Sequence, residues 1–172
     1  GQLGDGTTVR KTSPATTSIA GLTGVTALAA GGSTTCALLS TGAVKCWGLN
    51  TNGQLGDNTT AQKLVPTAVS GIDGTAAKAT AITVGTSHSC ALISDGTVRC
   101  WGLNTSGQLG DNTLVQKLIP TTVKATASTN LTGVTAISAG AAHTCAIVGS
   151  GSTATARCWG SNANGRLGNG TT

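Results

Sequence analysis

The stretch GTSHSCALISDGTVRCWGLNTSGQLG, residues 85–110, decides the fold. Two short apolar runs flank Ser94-Asp95-Gly96. That triplet suits a three-residue hairpin loop, a type I turn followed by glycine in the left-handed position. With the loop closed, Ile93 faces Thr97, Leu92 faces Val98, Ala91 faces Arg99 and Cys90 faces Cys100. Counting from the closing pair places the cysteines on a non-hydrogen-bonded site, where side chains across an antiparallel pair come closest. A cross-strand disulfide forms most easily there.

The pattern recurs in both directions. GQLG begins at Gly1, Gly53 and Gly107, and GRLG begins at Gly165, at spacings of 52, 54 and 58 residues. Pro14, Pro66 and Pro120 each stand 13 residues after their leading glycine. The same hairpin arithmetic pairs Cys36 with Cys46 across Ser40-Thr41-Gly42. It pairs Cys145 with Cys158 across the longer loop 149–154. Strands are expected at 25–30, 35–39 and 44–47. A proline-centred piece such as 64–69 is expected to open each repeat as an edge strand, because proline cannot donate to a ladder. Four short strands in about 50 residues match one propeller blade. The repeats are read as 1–52, 53–106 and 107–164, with 165–172 starting another. The fold class is all-β: three tandem four-stranded antiparallel blades, in an incomplete ring or an open superhelical array.

Composition agrees. Only 9% of residues are charged, glutamate is absent, and three Trp are the sole aromatic residues. The core must therefore use small and β-branched side chains, which favour strands. The formal charge of +5 is scattered without a Lys or Arg run, so no nucleic-acid partner is expected. No apolar stretch approaches the roughly 18–20 residues of a membrane span, and no signal-peptide pattern opens the sequence. The rival reading of the cysteines is zinc, which would call for Cys-x2-Cys pairs or added histidine. A hairpin-spanning separation favours three disulfides, each contributing roughly 2–3 kcal/mol. Disulfides in turn place the protein outside the cell or on its surface.

The motif GxxHSCALxxDGxVxCWGxNxxGQLG, read here from Gly85 to Gly110, resembles the regulator-of-chromosome-condensation repeat family. It is most similar to the cysteine-bearing form found in secreted bacterial proteins. The resemblance covers essentially the whole chain. It implies four-stranded blades, seven of which close a ring in full members, and it implies protein binding through the ring's loops. Three repeats cannot close a ring that typically needs 4–8 blades. A longer array, a ring completed by further copies, and an open superhelix all remain as readings.

The remaining residues point away from catalysis. His88 and His143 occupy one repeat position, with Thr34 in the first repeat, and are expected to be structural. Trp47, Trp101 and Trp159 are expected to pack between blades or against GQLG loops. Asp57 and Asp111 read as turn-stabilising carboxylates, too few for calcium. Lys45, Arg99 and Arg157 recur just before the second cysteine and read as solvated charge. Asn58, Asn104, Asn130 and Asn169 head Asn-x-Ser/Thr sequons and are candidate glycosylation sites. No enzyme, metal or cofactor is expected. The leading reading is an extracellular scaffold that joins copies of itself, or further repeats, through open blade edges. The alternative is a propeller module recognising a protein partner through its loops.

Overall fold

A computed structural model describes residues 1–172. Its three sheets are antiparallel. The first holds β1 (Val25–Gly31), β2 (Thr34–Leu39), β3 (Ala43–Gly48) and β4 (Lys63–Asp73), in that order across the sheet. The second holds β5 (Ala79–Val84), β6 (His88–Ile93), β7 (Val98–Gly102) and β8 (Lys117–Thr122). The third has three strands, β9 (Val134–Ala139), β10 (His143–Val148) and β11 (Thr155–Gly160).

The hairpin register follows from the loop. Leu92 pairs with Val98, Ala91 with Arg99 and Cys90 with Cys100. Gly96 takes φ +78° at the loop's third position, the left-handed geometry that Gly supplies without steric cost. Cys36–Cys46, Cys90–Cys100 and Cys145–Cys158 are bonded, each with Cα atoms 4.1 Å apart. That separation fits the closer of the two antiparallel pair types.

The proline piece behaves differently from its expectation. It closes the sheet of the preceding repeat: β4 pairs with β3 through Cys46↔Thr67, and β8 pairs with β7 through Cys100↔Thr121. Sequence repeat and sheet are therefore offset by one strand. The loop between β3 and β4 reverses the chain and returns it beside the strand it has just left, which satisfies the open edge of β3. Pro66 and Pro120 then lie on the outermost strands, where the missing N–H costs no ladder bond.

The first strands, β1, β5 and β9, are drawn against one another, so the sheets stack like the blades of a fan. Two thin apolar layers fill the gaps. Between the first and second sheets lie Cys36, Leu38, Val44, Cys46, Leu55 and Val69 against Ala79, Ala91, Ile93 and Trp101. Between the second and third lie Cys90, Leu92, Val98, Cys100, Leu109 and Val123 against Val134 and Ala146. The disulfide face of one sheet thus meets a face of the next that carries alanine beside a single tryptophan.

Close packing leaves one glycine of each GQLG loop no alternative. Gly56 has φ +72°, and an added Cβ would stand 2.7 Å from Trp101 Nε1. Gly21 has φ +76° with nothing within 4 Å of an added Cβ. Gly21→Ala should cost only the left-handed strain, about 1 kcal/mol, whereas Gly56→Ala should cost clearly more. Thermal denaturation of the two variants checks this, and equal losses would contradict the packing.

Candidate functional site

The long loops after β3 and β7 link the third and fourth strands of the first and second sheets. Each loop is tied to a buried asparagine. Asn104 Nδ2 donates to Asp111 Oδ1 (3.0 Å), Thr113 O (3.0 Å) and Val115 O (3.2 Å), while its Oδ1 accepts from Leu109 N (3.0 Å). Asn50 does the same with Asp57, Thr59, Ala61 and Leu55. One side chain thereby satisfies several backbone groups that a loop would otherwise leave to water. The sequence offered a signal for this, because Asn50, Asn104 and Asn162 recur three residues after each Trp, two of them outside any sequon. Asp57 and Asp111 complete the turns through Thr59 and Thr113 and pair with Lys63 (3.3 Å) and Lys117 (3.5 Å). Burial pushes both carboxyls up. Hydrogen bonds from Thr59 and Asn50, and from Thr113 and Asn104, outweigh that and hold them below the usual carboxylate range.

The loops are also clamped to the next sheet. Trp101 Nε1 donates to Gln54 O (2.9 Å), and Ser89 Oγ donates to the same oxygen (2.8 Å). Gln2 O receives Trp47 Nε1 and Thr35 Oγ1, and Gln108 O receives Trp159 Nε1 and Thr144 Oγ1. The tryptophans thus join each GQLG loop to the sheet that follows it in the chain. On the outer edge, Asn58 N donates to Leu118 O (3.1 Å).

The basic residues are not free surface charge throughout. Lys45 Nζ donates to Gly21 O (2.8 Å) and Arg99 Nη1 to Gly71 O (3.2 Å). Both bind a carbonyl 24 to 28 residues earlier in their own repeat, and Arg99 thereby reaches from β7 of the second sheet to β4 of the first. Arg157 is exposed. His88 is fully buried between the second and third sheets, and its Nε2 lies 2.9 Å from Thr144 Oγ1. His143 is half-buried on β10. No group of three or more His, Cys, Asp or Glu side chains gathers where it could hold a metal ion.

The sequons separate by burial. Asn58, Asn130 and Asn169 are exposed. Asn104 is 0% exposed with its amide nitrogen committed to the loop, which sets it apart from the other three. The loops also hold a feature that sequence reasoning passed over. Leu114 and Val115 are 66% and 62% exposed, in positions that Thr60 and Ala61 occupy one repeat earlier.

Stacked, hairpin-built sheets joined by a repeated loop clamp define a tandem β-propeller blade protein. The regulator of chromosome condensation (RCC1) repeat matches residues 41–92 and 95–147, and a second description of that repeat matches 25–54, 79–108 and 134–166. The chain belongs to the regulator of chromosome condensation repeat family. It is 33% identical over 143 residues to the ultraviolet-B receptor UVR8 of Arabidopsis thaliana, covering 83% of this chain and 31% of the receptor. It is 36% identical over 177 residues to the human probable E3 ubiquitin-protein ligase HERC4, covering 100% of this chain and 16% of that protein. Among solved structures, yeast RCC1 (Prp20) bound to Kap60 superimposes with a TM-score of 0.72 at 23% identity, covering 88% of this chain and 35% of that one. Human WBSCR16 does so at 0.68 with 26% identity, covering 86% and 37%. The chain therefore spans well under half the length of these relatives.

Asn104→Asp should destabilise strongly, because a carboxylate would replace the donor facing Asp111 and two backbone carbonyls. An unpaired buried charge costs about 3 kcal/mol or more. Chemical denaturation measures it, and a loss below about 1 kcal/mol would show the loop to be held by other means. Trp101→Phe, which removes a single N–H donor and some packing, should cost roughly 1–3 kcal/mol in the same assay.

Proposed function

We propose that this chain is a protein-recognition module, in which clamped blades hold loops rigid and the loop tips meet a partner. The observation that carries the reading is Leu114-Val115. These two large apolar side chains stand in solvent on a loop whose backbone is fixed by Asn104 and Asp111. Their counterparts Thr60 and Ala61 sit on an equally fixed loop without comparable apolar bulk. A pre-ordered loop gives up little entropy on binding, and exposed apolar side chains are the part of a surface that gains from being covered. The reading is also supported by family relatives: Prp20 is solved with Kap60 and has binding properties towards Gsp1p and histones. Partner identity does not carry over from them. HERC4 is named a probable ligase, but the present chain corresponds to a small part of it, and nothing in these blades gathers an acid, a base and a nucleophile. The three disulfides favour an oxidising setting, outside or on the surface of the cell.

A second reading, self-association through blade faces, rests on a different observation. Ile147 is 45% exposed, whereas Leu38 and Leu92 at the same repeat step are 5% and 6% exposed beneath a neighbouring sheet or loop. Leu28 on the opposite end is likewise exposed.

Cross-linking of the purified chain in extract from its source, followed by titration of the captured partner, tests the first reading. Replacing Leu114 with Thr and Val115 with Ala, which copies the earlier loop, should weaken binding at least tenfold without changing the melting temperature. Unchanged affinity would remove the loop from the interface. Light scattering that finds only self-complexes, lost on Ile147→Asp, would favour the second reading.

A further inference from the structure

We infer that the contact between the second and third sheets is an acid-sensitive latch, closed by neutral His88 and released when its imidazole gains a proton. The hydrogen-bond inventory fixes the closed form. Thr144 Oγ1 has one hydrogen and gives it to Gln108 O at 3.0 Å. His88 Nε2, 2.9 Å from the same oxygen, must then carry a hydrogen and donate it. The lone pair of His88 lies on Nδ1, which is buried without any partner. The ring rests on the backbone of Gly85, where an added Cβ would stand 2.5 Å from Nδ1 and closer still to Cε1. A second proton would create a buried charged N–H with no acceptor, a costly state.

The surroundings do not compensate. The titratable side chain facing His88 is His143 on β10, which can add only like charge. The loop carbonyl beneath, Gln108 O, is already shared by Thr144 and Trp159. All five carboxylates bind the threonine two residues beyond them: Asp5, Asp57, Asp73, Asp95 and Asp111 serve Thr7, Thr59, Thr75, Thr97 and Thr113. Burial, and then the His143 charge, press the His88 pKa from 6.5 down to about 4.

The sign follows. An opened interface lets His88 take a proton below pH 6.5, while the closed one refuses it until about 4. Closure is fully favoured above 6.5 and weakens as pH falls through that window, by up to about tenfold per pH unit for one proton. The first interface lacks the device. Thr34 stands in place of His88 and donates to Leu49 O within its own repeat.

The experiment is amide hydrogen exchange between pH 7 and 5, corrected for intrinsic rates. Thr86 N to Ala141 O and Ala139 N to Thr83 Oγ1 bridge the second and third sheets, and Ala79 N to Gly42 O bridges the first and second. Opening at Thr86 and Ala139 should rise several-fold per pH unit while Ala79 stays level, and His88→Thr should abolish the rise. A slope shared by Ala79, or one that survives in H88T, would overturn the latch. Should H88T fail to fold, an NMR titration of the native His88 ring decides: a midpoint near 4 supports the latch and one near 6.5 sinks it.

Discussion

One backbone oxygen per repeat holds the stack together. The carbonyl of glutamine in each GQLG loop accepts a tryptophan N–H and a serine or threonine hydroxyl from the next sheet. Both lone pairs are used, so the loop can sit at one height and one rotation only. The glycine two residues on must lack a side chain, because the indole nitrogen lies where its Cβ would be. Tryptophan is consequently the one aromatic residue this chain requires, and it requires it as a donor as much as for bulk.

Much else follows from that fixed spacing. With blades held by polar clamps at their loops, the layers between them can be thin. Cysteine, alanine and valine fill much of them, and the first two disulfides brace their hairpins against an alanine-bearing neighbour. Cations at the same repeat position reach a glycine carbonyl earlier in their own repeat, as Lys45 and Arg99 do. The fixed and variable parts of each loop are thereby separated. Asn50 and Asn104 hold two loops in the same backbone form, while residues at the loop tip, Thr60-Ala61 or Leu114-Val115, are free to differ. A second specialisation sits inside the stack, where histidine at one interface and threonine at the other make two otherwise similar contacts differ in chemistry.

The sequence was legible wherever a local rule sufficed. Loop length set hairpin register and brought the cysteines together, because the side-chain period of a strand is two and one slip would have separated them. Repeat periodicity located every strand. Legibility ended where a partner lay far along the chain. Proline marked an edge strand correctly, yet the strand's sheet membership depended on which edge lay open after the loop reversed. Asn104 read as a sequon because Asn-x-Ser is a three-residue pattern, while its burial depends on bonds to residues seven to eleven positions away.

The sequence by itself determined the blade: its hairpins, its disulfide pairs, its repeat length and its family. Those depend on interactions within about 15 residues. The tertiary structure decided which loop clamps which sheet, which histidine loses contact with water and which apolar side chains stay in it. These depend on the angle and separation at which one sheet stacks on the next, and no single repeat encodes either.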